Sequence, residues 1–424
     1  MGETVGFKSV RGTKDILPGE TERWRFVETA VRSVFHRYGY KEIRTPHFEQ
    51  TALFSRSIGA LTDIVGKEMY TFTDRGQESL TLRPEGTASV IRAYIQNNLG
   101  EAQPLVKLYY LGPMFRQERP QAGRLRQFHQ FGAEAIGSPR PETDAEIIAM
   151  TIQIYRELSI SDCELKINSV GCEKCRPQYK EILRAELQEI SASLSADSQR
   201  RVLENPMRVL DSKDENDRRL TSTLPLMKDY LCEECRNHYQ KLKESLASLQ
   251  IHFREDGRLV RGLDYYTKTA FELTSTELGS QDALAGGGRY DLLTAELGGK
   301  PTPGVGFAAG FERLLMVLEK KEIPGFLPEK PSLYIAAADE ASREWVLAKT
   351  MELRNNGVAA ESDLLARSLK AQMRDADRQG AAAVMVVGQQ ELQSGKANLK
   401  DMKTGESKEI LLAELAKNFA RGGS

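Results

Sequence analysis

The sequence predicts an α+β fold, in which strand-rich blocks enclose a mostly helical insertion and a small α/β domain follows toward the C-terminal end. A hairpin pattern spans residues 105–137, which predicts antiparallel strands. Residues 171–250 are rich in Lys, Glu, Leu and Arg and are typical of helices. After residue 331, short apolar runs alternate with helical stretches, as in an α/β domain.

Length and composition indicate a globular protein of several domains. The chain has 424 residues, more than one hydrophobic core ordinarily supports, so roughly two or three domains are expected. The longest apolar runs, such as Ala381–Val387, are strand-sized and shorter than the ~18–20 residues of a membrane helix. Because the N-terminus lacks the basic and apolar regions of a signal peptide, we expect a cytoplasmic location.

The charge balance limits the classes of partner. The formal net charge is −1, which excludes a globally basic nucleic-acid coat protein. A local cluster of Arg and Lys would still be enough to contact RNA phosphates.

The first predicted helix spans residues 20–37, where Trp24, Val27 and Val31 recur at helical spacing. A strand-like segment, Tyr40–Arg44, follows it. The next strand-like runs are Leu105–Phe115 and Gln127–Ile136. A polar, Arg-rich stretch from residue 116 to 126 joins these two runs, which suggests a hairpin with a functional loop.

The second strand of this hairpin carries polar groups on one face. Because successive side chains of a strand point to opposite faces, five residues share that face: Arg126, Phe128, Gln130, Gly132 and Glu134. Such a face suits a ligand with a flat ring and polar groups. A solvated sheet face would show the same pattern, so this segment alone leaves both readings open.

Four further segments carry the residue types of a binding site. Thr81–Thr87 packs Arg, Glu and Thr around a turn, and Leu259–Thr267 places a charge pair and two tyrosines beside a glycine. Ala285–Asp291 contains three successive glycines, which allow close backbone approach but do not match a Rossmann fingerprint. Gly304–Gly310 leads into a helix with Arg313 in its first turn. The helix dipole disfavours a cation there, so an anionic ligand would explain it.

The remaining chain completes the organisation. Strand signals occur at 258–274 and 282–293, and residues 304–319 predict a strand and a helix. Residues 323–331 have the composition of a linker. We expect four segments: a first strand-rich part (1–170), a helical insertion (171–252), a second strand-rich part (253–325) and an α/β domain (331–424).

Two CxxC pairs lie in the insertion. Cys172, Cys175, Cys232 and Cys235 offer four thiolates, which is the ligand set of a tetrahedral structural zinc site. Two unrelated pairs of reduced cysteines would give the same sequence pattern, and both possibilities stay open here. We interpret Cys163 as a reduced structural residue and His129, on the face opposite Phe128, as structural rather than catalytic.

Taken together, these segments resemble the histidyl-tRNA synthetase family within the class II aminoacyl-tRNA synthetases, over nearly the whole chain. The helix at 20–37 and the following strand resemble motif 1, Phe115–Glu134 resembles motif 2, and Gly304–Arg313 resembles motif 3. The most specific matches are Arg261–Tyr266 and Gly286–Tyr290, which resemble the two histidine-specific motifs.

The resemblance implies a six-to-seven-stranded antiparallel sheet flanked by helices, with a C-terminal anticodon-binding α/β domain. It implies a ligase that activates L-histidine with ATP to histidyl-adenylate and pyrophosphate, then transfers histidine to the 3′ end of tRNA(His). Mg²⁺ is implied, because the pyrophosphate leaving group needs charge neutralisation. Motif 1 implies a homodimer.

The resemblance also implies residue roles. The residues expected to bind histidine are Glu85, Thr87, Gln130, Glu134, Arg261, Tyr265, Tyr266 and Tyr290. Those expected to bind ATP are Arg116, Glu118, Arg124, Phe128 and Arg313. Within these sets, Arg116, Arg261 and Arg313 would be catalytic through charge stabilisation, and Glu134 and Tyr266 would bond the imidazole nitrogens.

The main alternative is the related regulatory subunit of the ATP phosphoribosyltransferase of histidine biosynthesis, which does not aminoacylate. By the same resemblance, that protein lacks the C-terminal domain and parts of the histidine motifs. Residues 331–424 and both motifs are present here, which favours the ligase. In the C-terminal domain, four basic residues recur every three or four positions and predict a tRNA-facing stripe or a solvated helix face: Arg367, Lys370, Arg374 and Arg378.

Overall fold

The computed structural model describes residues 6–59, 62, 64–120, 123–275, 283–319, 326 and 330–420. The chain divides into two compact units, Met1–Phe326 and Leu327–Ser424. Most of the predicted linker at 323–331 and the N-terminal residues used to judge a signal peptide lie outside the described residues. Across the described residues, no helix combines the length and apolar character needed to cross a bilayer.

The strands are β1 Lys41–Glu42, β2 Phe48–Gln50, β3 Tyr70–Thr73, β4 Ser79–Leu82, β5 Val106–Phe115, β6 Gln127–Ile136, β7 Cys163–Ser169, β8 Arg254–Glu255, β9 Thr267–Ser275, β10 Ala283–Arg289, β11 Gly304–Gly310, β12 Leu333–Ala337, β13 Ala360–Ser362, β14 Ala383–Val387, β15 Lys396–Asp401 and β16 Ser407–Leu411.

The α-helices are α1 Glu20–Arg37, α2 Thr51–Ile58, α3 Thr87–Gln96, α4 Leu99–Ala102, α5 Pro141–Glu157, α6 Arg176–Ile190, α7 Ala196–Glu204, α8 Met207–Leu210, α9 Glu215–Leu220, α10 Glu233–Ser248, α11 Leu293–Glu296, α12 Phe311–Leu318, α13 Arg343–Asn355, α14 Leu369–Arg378, α15 Gln389–Ser394 and α16 Leu415–Ala420.

The larger unit is built on an eight-stranded sheet in the order β1-β5-β6-β11-β10-β9-β7-β8. Its six inner strands are all antiparallel, within the range that the resemblance implied. The two short edge strands, β1 and β8, pair in parallel and extend the sheet beyond that range. Of the strand predicted at Tyr40–Arg44, Lys41–Glu42 pairs in the sheet.

The two faces of this sheet have different neighbours, and strand alternation decides which side chain meets which. In β6, Phe131 and Ala133 belong to a hydrophobic cluster with Val31 of α1 and Ile147 of α5. Phe128, on the other face, packs with a second cluster that includes α3 and the insertion. The predicted alternation of β6 is therefore confirmed, with the polar face turned away from the helices α1 and α5.

Helices α6–α10 occupy the insertion, as its composition predicted. In α6, Tyr179, Leu183 and Leu187 are spaced four residues apart and form one buried face. In α10, Leu242 and Leu246 join the same hydrophobic cluster as α5. The insertion is thereby anchored to the helical side of the main sheet.

One predicted strand extent is wrong. The strand signal at 258–274 is realised from Thr267 onward, where β9 begins. Earlier in this stretch the backbone bonds to the end of α2 instead of a neighbouring strand, since Asp264 N donates to Ile58 O at 3.1 Å. The segment before β9 is therefore a loop, which leaves its side chains free to form a pocket wall.

The smaller unit is an α/β domain whose sheet has the order β13-β12-β14-β15-β16. Strands β12–β14 pair in parallel, as the alternating pattern predicted. Strands β15 and β16 add antiparallel pairs that the pattern did not predict. Ile335 packs with α13 on one face, while Tyr334 packs with α14 on the other.

The predicted basic stripe in this unit is wrong as a continuous helical feature. Helix α14 begins after Arg367, whose guanidinium pairs with Asp363 at 2.5 Å and with Asp375 at 2.6 Å. Arg378 also pairs with Asp375, so these two arginines are held by carboxylates within the unit. Lys370, Arg374 and Arg378 are exposed on α14, and of these Lys370 and Arg374 form no ion pair within the described residues.

Candidate active site

A cleft enclosing about 230 Å³ opens on the polar face of the main sheet. Its walls come from the β5–β6 hairpin, the start of α3, the loop before β9, strands β10 and β11, and the start of α12. Twelve residues singled out in the sequence line it: Glu85, Thr87, Arg116, Glu118, Arg124, Phe128, Gln130, Arg261, Tyr265, Tyr266, Tyr290 and Arg313. Segments up to about two hundred residues apart in sequence thus share one cavity.

Glu134, the remaining predicted residue, lies fully buried beneath the cleft floor. Its Oε1 accepts a hydrogen bond from the Thr87 hydroxyl at 2.7 Å, and its Oε2 accepts one from the Tyr290 hydroxyl. Burial raises the pKa of Glu134 to about 8, although both hydrogen bonds oppose the shift. Gly306 makes room for this carboxyl group, because a Cβ at that position would collide with Oε2.

The Glu85 carboxyl group lies at the N-terminus of α3 and bonds to its first backbone N–H groups. Its two carboxylate oxygens accept hydrogen bonds from Thr87 N at 2.7 Å and Ala88 N at 2.8 Å. Burial raises the pKa of Glu85, and these backbone hydrogen bonds act against that shift. The result is a carboxyl group held rigidly at the cleft wall, where an ammonium group would find a partner.

Three tyrosines form one wall of the cleft. The ring centroids of Tyr265 and Tyr266 are 4.7 Å apart, and those of Tyr265 and Tyr290 are 5.8 Å apart. All three side chains are buried. Nearby, Gln130 Oε1 is buried without a hydrogen-bond partner among the described residues. A buried polar atom of this kind favours a ligand that supplies the missing donor.

A second group of residues in the cleft is cationic and aromatic. The Arg116 guanidinium lies over the Phe128 ring, 5.2 Å from its centroid. Glu118 bridges two arginines, with N–O distances of 3.6 Å to Arg116 and 3.3 Å to Arg124. The exposed part of the Phe128 ring offers a stacking surface for a second flat group.

Arg261 links the two groups, because its charge acts on Tyr266 and its partner Glu272 acts on Arg313. Its Nη1 donates to Glu272 Oε2 at 2.6 Å, and its Nε is buried without a partner among the described residues. Gly286 allows this approach, since a Cβ there would collide with the guanidinium. Arg261 is thus fixed at the centre of the cleft with one donor still available.

Arg313 supplies a further positive charge from α12. Its Nη1 donates to Ala283 O at 2.8 Å, and within the described part of the chain it forms no ion pair. Burial and then the charge of Arg124 lower the pKa of the Arg313 guanidinium. Four arginines line the cleft (Arg116, Arg124, Arg261 and Arg313) against three glutamates (Glu85, Glu118 and Glu312). An excess of positive charge near Arg124 and Arg313 favours an anionic ligand there.

Some contributors were missed in the sequence. Glu272 was not predicted, although a charge within the apolar run of β9 could have marked it. Arg289, which precedes Tyr290, was given no role from the sequence, yet it is fully buried and pairs with Asp144. His129 lies on the helix side of the sheet, where its ring packs edge-on against Trp24 and its Nδ1 is 2.9 Å from Glu312 Oε1.

The two CxxC pairs meet in the insertion. The four Sγ atoms all lie within 4.8 Å of one another, and the cysteines are buried except for a half-buried Cys232. Three of the S–S distances are 3.8, 3.8 and 3.9 Å. The interpretation as two unrelated pairs is therefore wrong, because the helical segment of some sixty residues between them folds so that the second pair contacts the first.

The cleft thus has two compartments, which meet at Arg261. The tyrosine-walled compartment is formed by Tyr265, Tyr266 and Tyr290, and the arginine-rich compartment by Arg116, Arg124, Arg313 and Phe128. The first compartment suits a small zwitterion with a polar side chain, and the second suits a nucleotide with its phosphates. Preorganised guanidinium groups at the junction would stabilise negative charge that develops when the two ligands react.

Comparison with known proteins agrees with this geometry. The family described as "Histidyl-tRNA synthetase" matches residues 12–314, and the family described as "Anticodon binding domain" matches residues 333–421. A histidine–tRNA ligase of Halothermothrix orenii is 49% identical over 415 residues, covering 98% of this chain and 99% of the relative. One from Desulforamulus reducens is 48% identical over 405 residues, with 96% and 97% coverage.

Solved structures show the same relationship. Apo histidyl-tRNA synthetase of S. aureus matches with a TM-score of 0.83 and 41% identity, covering 98% of this chain and 100% of that one. A Bacillus halodurans structure described as an ATP phosphoribosyltransferase regulatory subunit/histidyl-tRNA synthetase matches at 22% identity, with a TM-score of 0.63 and 90% and 98% coverage. That likeness concerns the fold alone. By the family match and the close relatives, this chain belongs to the histidyl-tRNA synthetase family.

Proposed function

We propose that this chain activates L-histidine with ATP in the cleft and then transfers the histidine to the 3′ end of tRNA(His). The observation that carries the proposal is the junction at Arg261 between a tyrosine-walled compartment and an arginine-rich one. The histidine carboxylate oxygen attacks the α-phosphorus of ATP, and the bond to the β-phosphate breaks to release pyrophosphate. The terminal ribose hydroxyl of the tRNA then attacks the adenylate carbonyl and AMP leaves.

The tyrosine-walled compartment would hold histidine. Glu85 and Thr87, at the start of α3, are the proposed partners of the α-amino group, with Gln130 beside them. Support comes from the rigidly held Glu85 carboxyl group and from the unpartnered Gln130 Oε1. An amino acid unable to bond with these buried polar atoms would leave them unpaired, which is the basis of selectivity.

The imidazole would meet Tyr266 and the Glu134–Tyr290 pair. Each oxygen of Glu134 accepts one hydrogen bond in this structure and keeps a second lone pair, which an imidazole N–H would use. Tyr265 and Tyr290 would enclose the ring. These roles rest on the family resemblance and on the burial of the group.

The arginine-rich compartment would hold ATP. Phe128 is the proposed stacking partner of adenine, with Arg116 at the α-phosphate and Glu118 near the adenosine. Arg124 and Arg313 would hold the distal phosphates. The stacking of Arg116 on Phe128 and the lack of an ion pair at Arg313 in the described chain support these assignments.

Mg²⁺ belongs to this reaction with ATP, and a suitable donor group lies beside the cleft. Glu272 pairs with Arg261 and its charge acts on Arg313, so its carboxylate would lie near the phosphates and would offer the oxygen ligands that Mg²⁺ prefers. The ion would supply charge neutralisation for the leaving pyrophosphate. The protein contribution is positioning by the arginines, with Arg261 stabilising charge at the α-phosphate, and no covalent enzyme intermediate is required.

The anticodon-binding domain would contact tRNA(His). Lys370 and Arg374 are exposed and form no ion pair among the described residues, so they are the members of the predicted stripe available to phosphates. A cytoplasmic location is proposed because ATP and tRNA are the substrates. A homodimer is proposed from the motif 1 resemblance, and the exposed rings of Phe48 and Phe72 offer apolar area for a second copy. A monomer in sedimentation would contradict the dimer.

We also propose that the four cysteines of the insertion bind one Zn²⁺. A tetrahedron with Zn–S bonds of about 2.3 Å has S–S edges of about 3.8 Å. The three measured S–S distances of 3.8–3.9 Å fit that geometry and are far longer than a disulfide bond. Metal analysis of freshly purified protein should find about one zinc per chain.

ATP–pyrophosphate exchange with each of the twenty amino acids tests the proposed reaction. Exchange with histidine alone would support activation and specificity together. Absence of exchange from folded protein with Mg²⁺ would contradict the ligase and favour the regulatory-subunit alternative. Exchange with another amino acid would show that the fold was interpreted correctly and the pocket wrongly.

A further inference from the structure

The four-cysteine cluster lies behind the tyrosine wall of the cleft, and its two halves come from different segments. Cys172 and Cys175 precede α6, whereas Cys232 and Cys235 lie at the start of α10. The first half continues directly into Arg176, which contacts the backbone of Tyr266, whereas the second half reaches the neighbour of Tyr290 through a series of buried contacts that begins at His238.

The first connection runs from Cys175 through Arg176 to Tyr266. Arg176 Nη2 donates to the backbone carbonyls of Tyr266 and, at 3.0 Å, of Gly171. Lys268 N also donates to Gly171 O at 2.8 Å, and Lys268 has a φ of 51°, which side-chain-bearing residues rarely adopt. The segment beside the first CxxC pair therefore holds the backbone that carries Tyr266.

The second connection runs from Cys235 through His238 to Tyr290. One helical turn after Cys235, His238 Nε2 lies 2.8 Å from Asp144 Oδ2. Asp144 also pairs with Arg289, and both side chains are fully buried. Because Arg289 directly precedes Tyr290, this chain of contacts supports the other side of the same tyrosine wall.

We propose that zinc bound by the four cysteines fixes Tyr266 and Tyr290 in place, so that the metal determines the affinity for histidine and not that for ATP. The inference rests on the zinc site and on the histidine activation proposed above. An exposed ion pair, Lys174–Glu234 at 3.3 Å, also joins the two segments. Such exposed pairs contribute little, whereas zinc would bond directly to thiolates of both segments. Arg176 and His238 are positioning residues.

The direct test compares zinc-loaded wild-type protein with the same protein stripped by a zinc-selective chelator, with Mg²⁺ restored afterwards. We expect stripping to raise the KM for histidine in ATP–pyrophosphate exchange roughly tenfold or more, since small displacements of positioning groups have effects of this size. The KM for ATP should stay within about twofold. Adding zinc should restore the original value.

A second test separates metal binding from its connection to the pocket. Arg176→Ala should retain zinc and raise the KM for histidine, and Arg176→Lys should recover part of the loss by restoring one donor. Arg184→Ala is the matched control, because Arg184 lies on the same helix and pairs with the exposed Glu181. Equal KM values for Arg176→Ala and the control would overturn the connection.

The outcomes distinguish this inference from the proposed function. If zinc-loaded wild-type protein shows no histidine-dependent exchange, the proposed function fails. If it exchanges but stripping leaves the histidine KM unchanged, the inference alone is overturned. Freshly purified protein without zinc, or with these cysteines oxidised to disulfides in thiol titration, would also overturn it.

Discussion

Tyr290 donates a hydrogen bond from its hydroxyl to Glu134 Oε2, across a gap of 156 residues in the sequence. Glu134 lies in β6, and Tyr290 directly follows β10. The same carboxyl group accepts from the Thr87 hydroxyl at the start of α3. The Glu134 carboxyl group thus joins three elements beneath the proposed histidine compartment. Loss of its hydrogen bonds should weaken histidine binding more than ATP binding.

Replacing Tyr290 with Phe removes the donor to Glu134 and keeps the ring. We expect the KM for histidine in ATP–pyrophosphate exchange to rise about tenfold, because a buried acceptor loses its partner, while the KM for ATP changes less than about twofold. Tyr179→Phe is a matched control, since its hydroxyl donates to Pro225 O within the insertion. Parallel increases in both KM values would contradict the assignment.

The raised pKa of Glu134 predicts a pH-dependent stability. Its ordinary pKa is 4.5 and its folded value is about 8, so in between the folded state binds a proton that the unfolded state does not. The free energy of unfolding therefore falls as pH rises through this window. Glu134→Gln removes the titration, so urea unfolding should show wild type losing roughly 3 kcal/mol more than the variant between pH 5.5 and 8. Parallel pH curves would refute this.

Arg261 should act mainly on the rate of activation. Its guanidinium lies at the junction of the compartments, held by Glu272 at 2.6 Å. Arg261→Gln should lower kcat for exchange by roughly 100-fold or more, as is usual when a preorganised charge at the reacting group is lost. Steady-state exchange kinetics measure this, with Arg254→Gln at an exposed position as the control. A change confined to KM would assign Arg261 to ground-state binding instead.

Phe128 should contribute to ATP binding through stacking. Phe128→Ala should raise the KM for ATP about tenfold, because stacking of a base on an aromatic ring is worth roughly 1–3 kcal/mol. Phe128→Tyr keeps the ring and should stay near wild type. Histidine binding, measured by calorimetry without ATP, should be unaffected. Loss of histidine binding in the alanine variant would instead indicate a disturbed cleft floor.

The exposed pair in the C-terminal unit should affect tRNA and not the adenylate. We expect the double change Lys370→Ala and Arg374→Ala to raise the KM for tRNA several-fold in charging assays, since each lost phosphate contact weakens binding. ATP–pyrophosphate exchange should be unchanged. Lys403→Ala, at another exposed position in the same unit, is the control. Unchanged charging would mean that this helix face is simply solvated.

Local patterns predicted the elements that carry the cleft. The helical spacing of Trp24, Val27 and Val31 predicted α1, and the two apolar runs around the Arg-rich stretch predicted β5 and β6 with nearly correct bounds. Alternation also predicted that Phe128 and Gln130 share a face, because side-chain direction along a strand depends on residue parity alone. The motif resemblance named the other lining residues without showing how far apart they lie.

Other features depend on contacts between residues that are far apart in the sequence, and no local pattern reveals these. Glu272 became a partner of Arg261 through the loop before β9, where a strand had been expected. The predicted stripe in the C-terminal unit is shorter than expected, because Arg367 lies before α14 and pairs with Asp375, which also pairs with the exposed Arg378. Both outcomes depend on where charged side chains meet after folding, which spacing along one helix or strand cannot show.

By itself, the sequence determined the order of the elements, the face of β6 that carries the polar groups and the chemical types available to the cleft. The tertiary structure alone decided that Glu134 is buried against Tyr290 with a pKa near 8, and that Cys172 meets Cys232 at 3.8 Å. The reason is physical: periodicity fixes direction within one element, whereas burial and contact between distant residues depend on sheet register and helix packing.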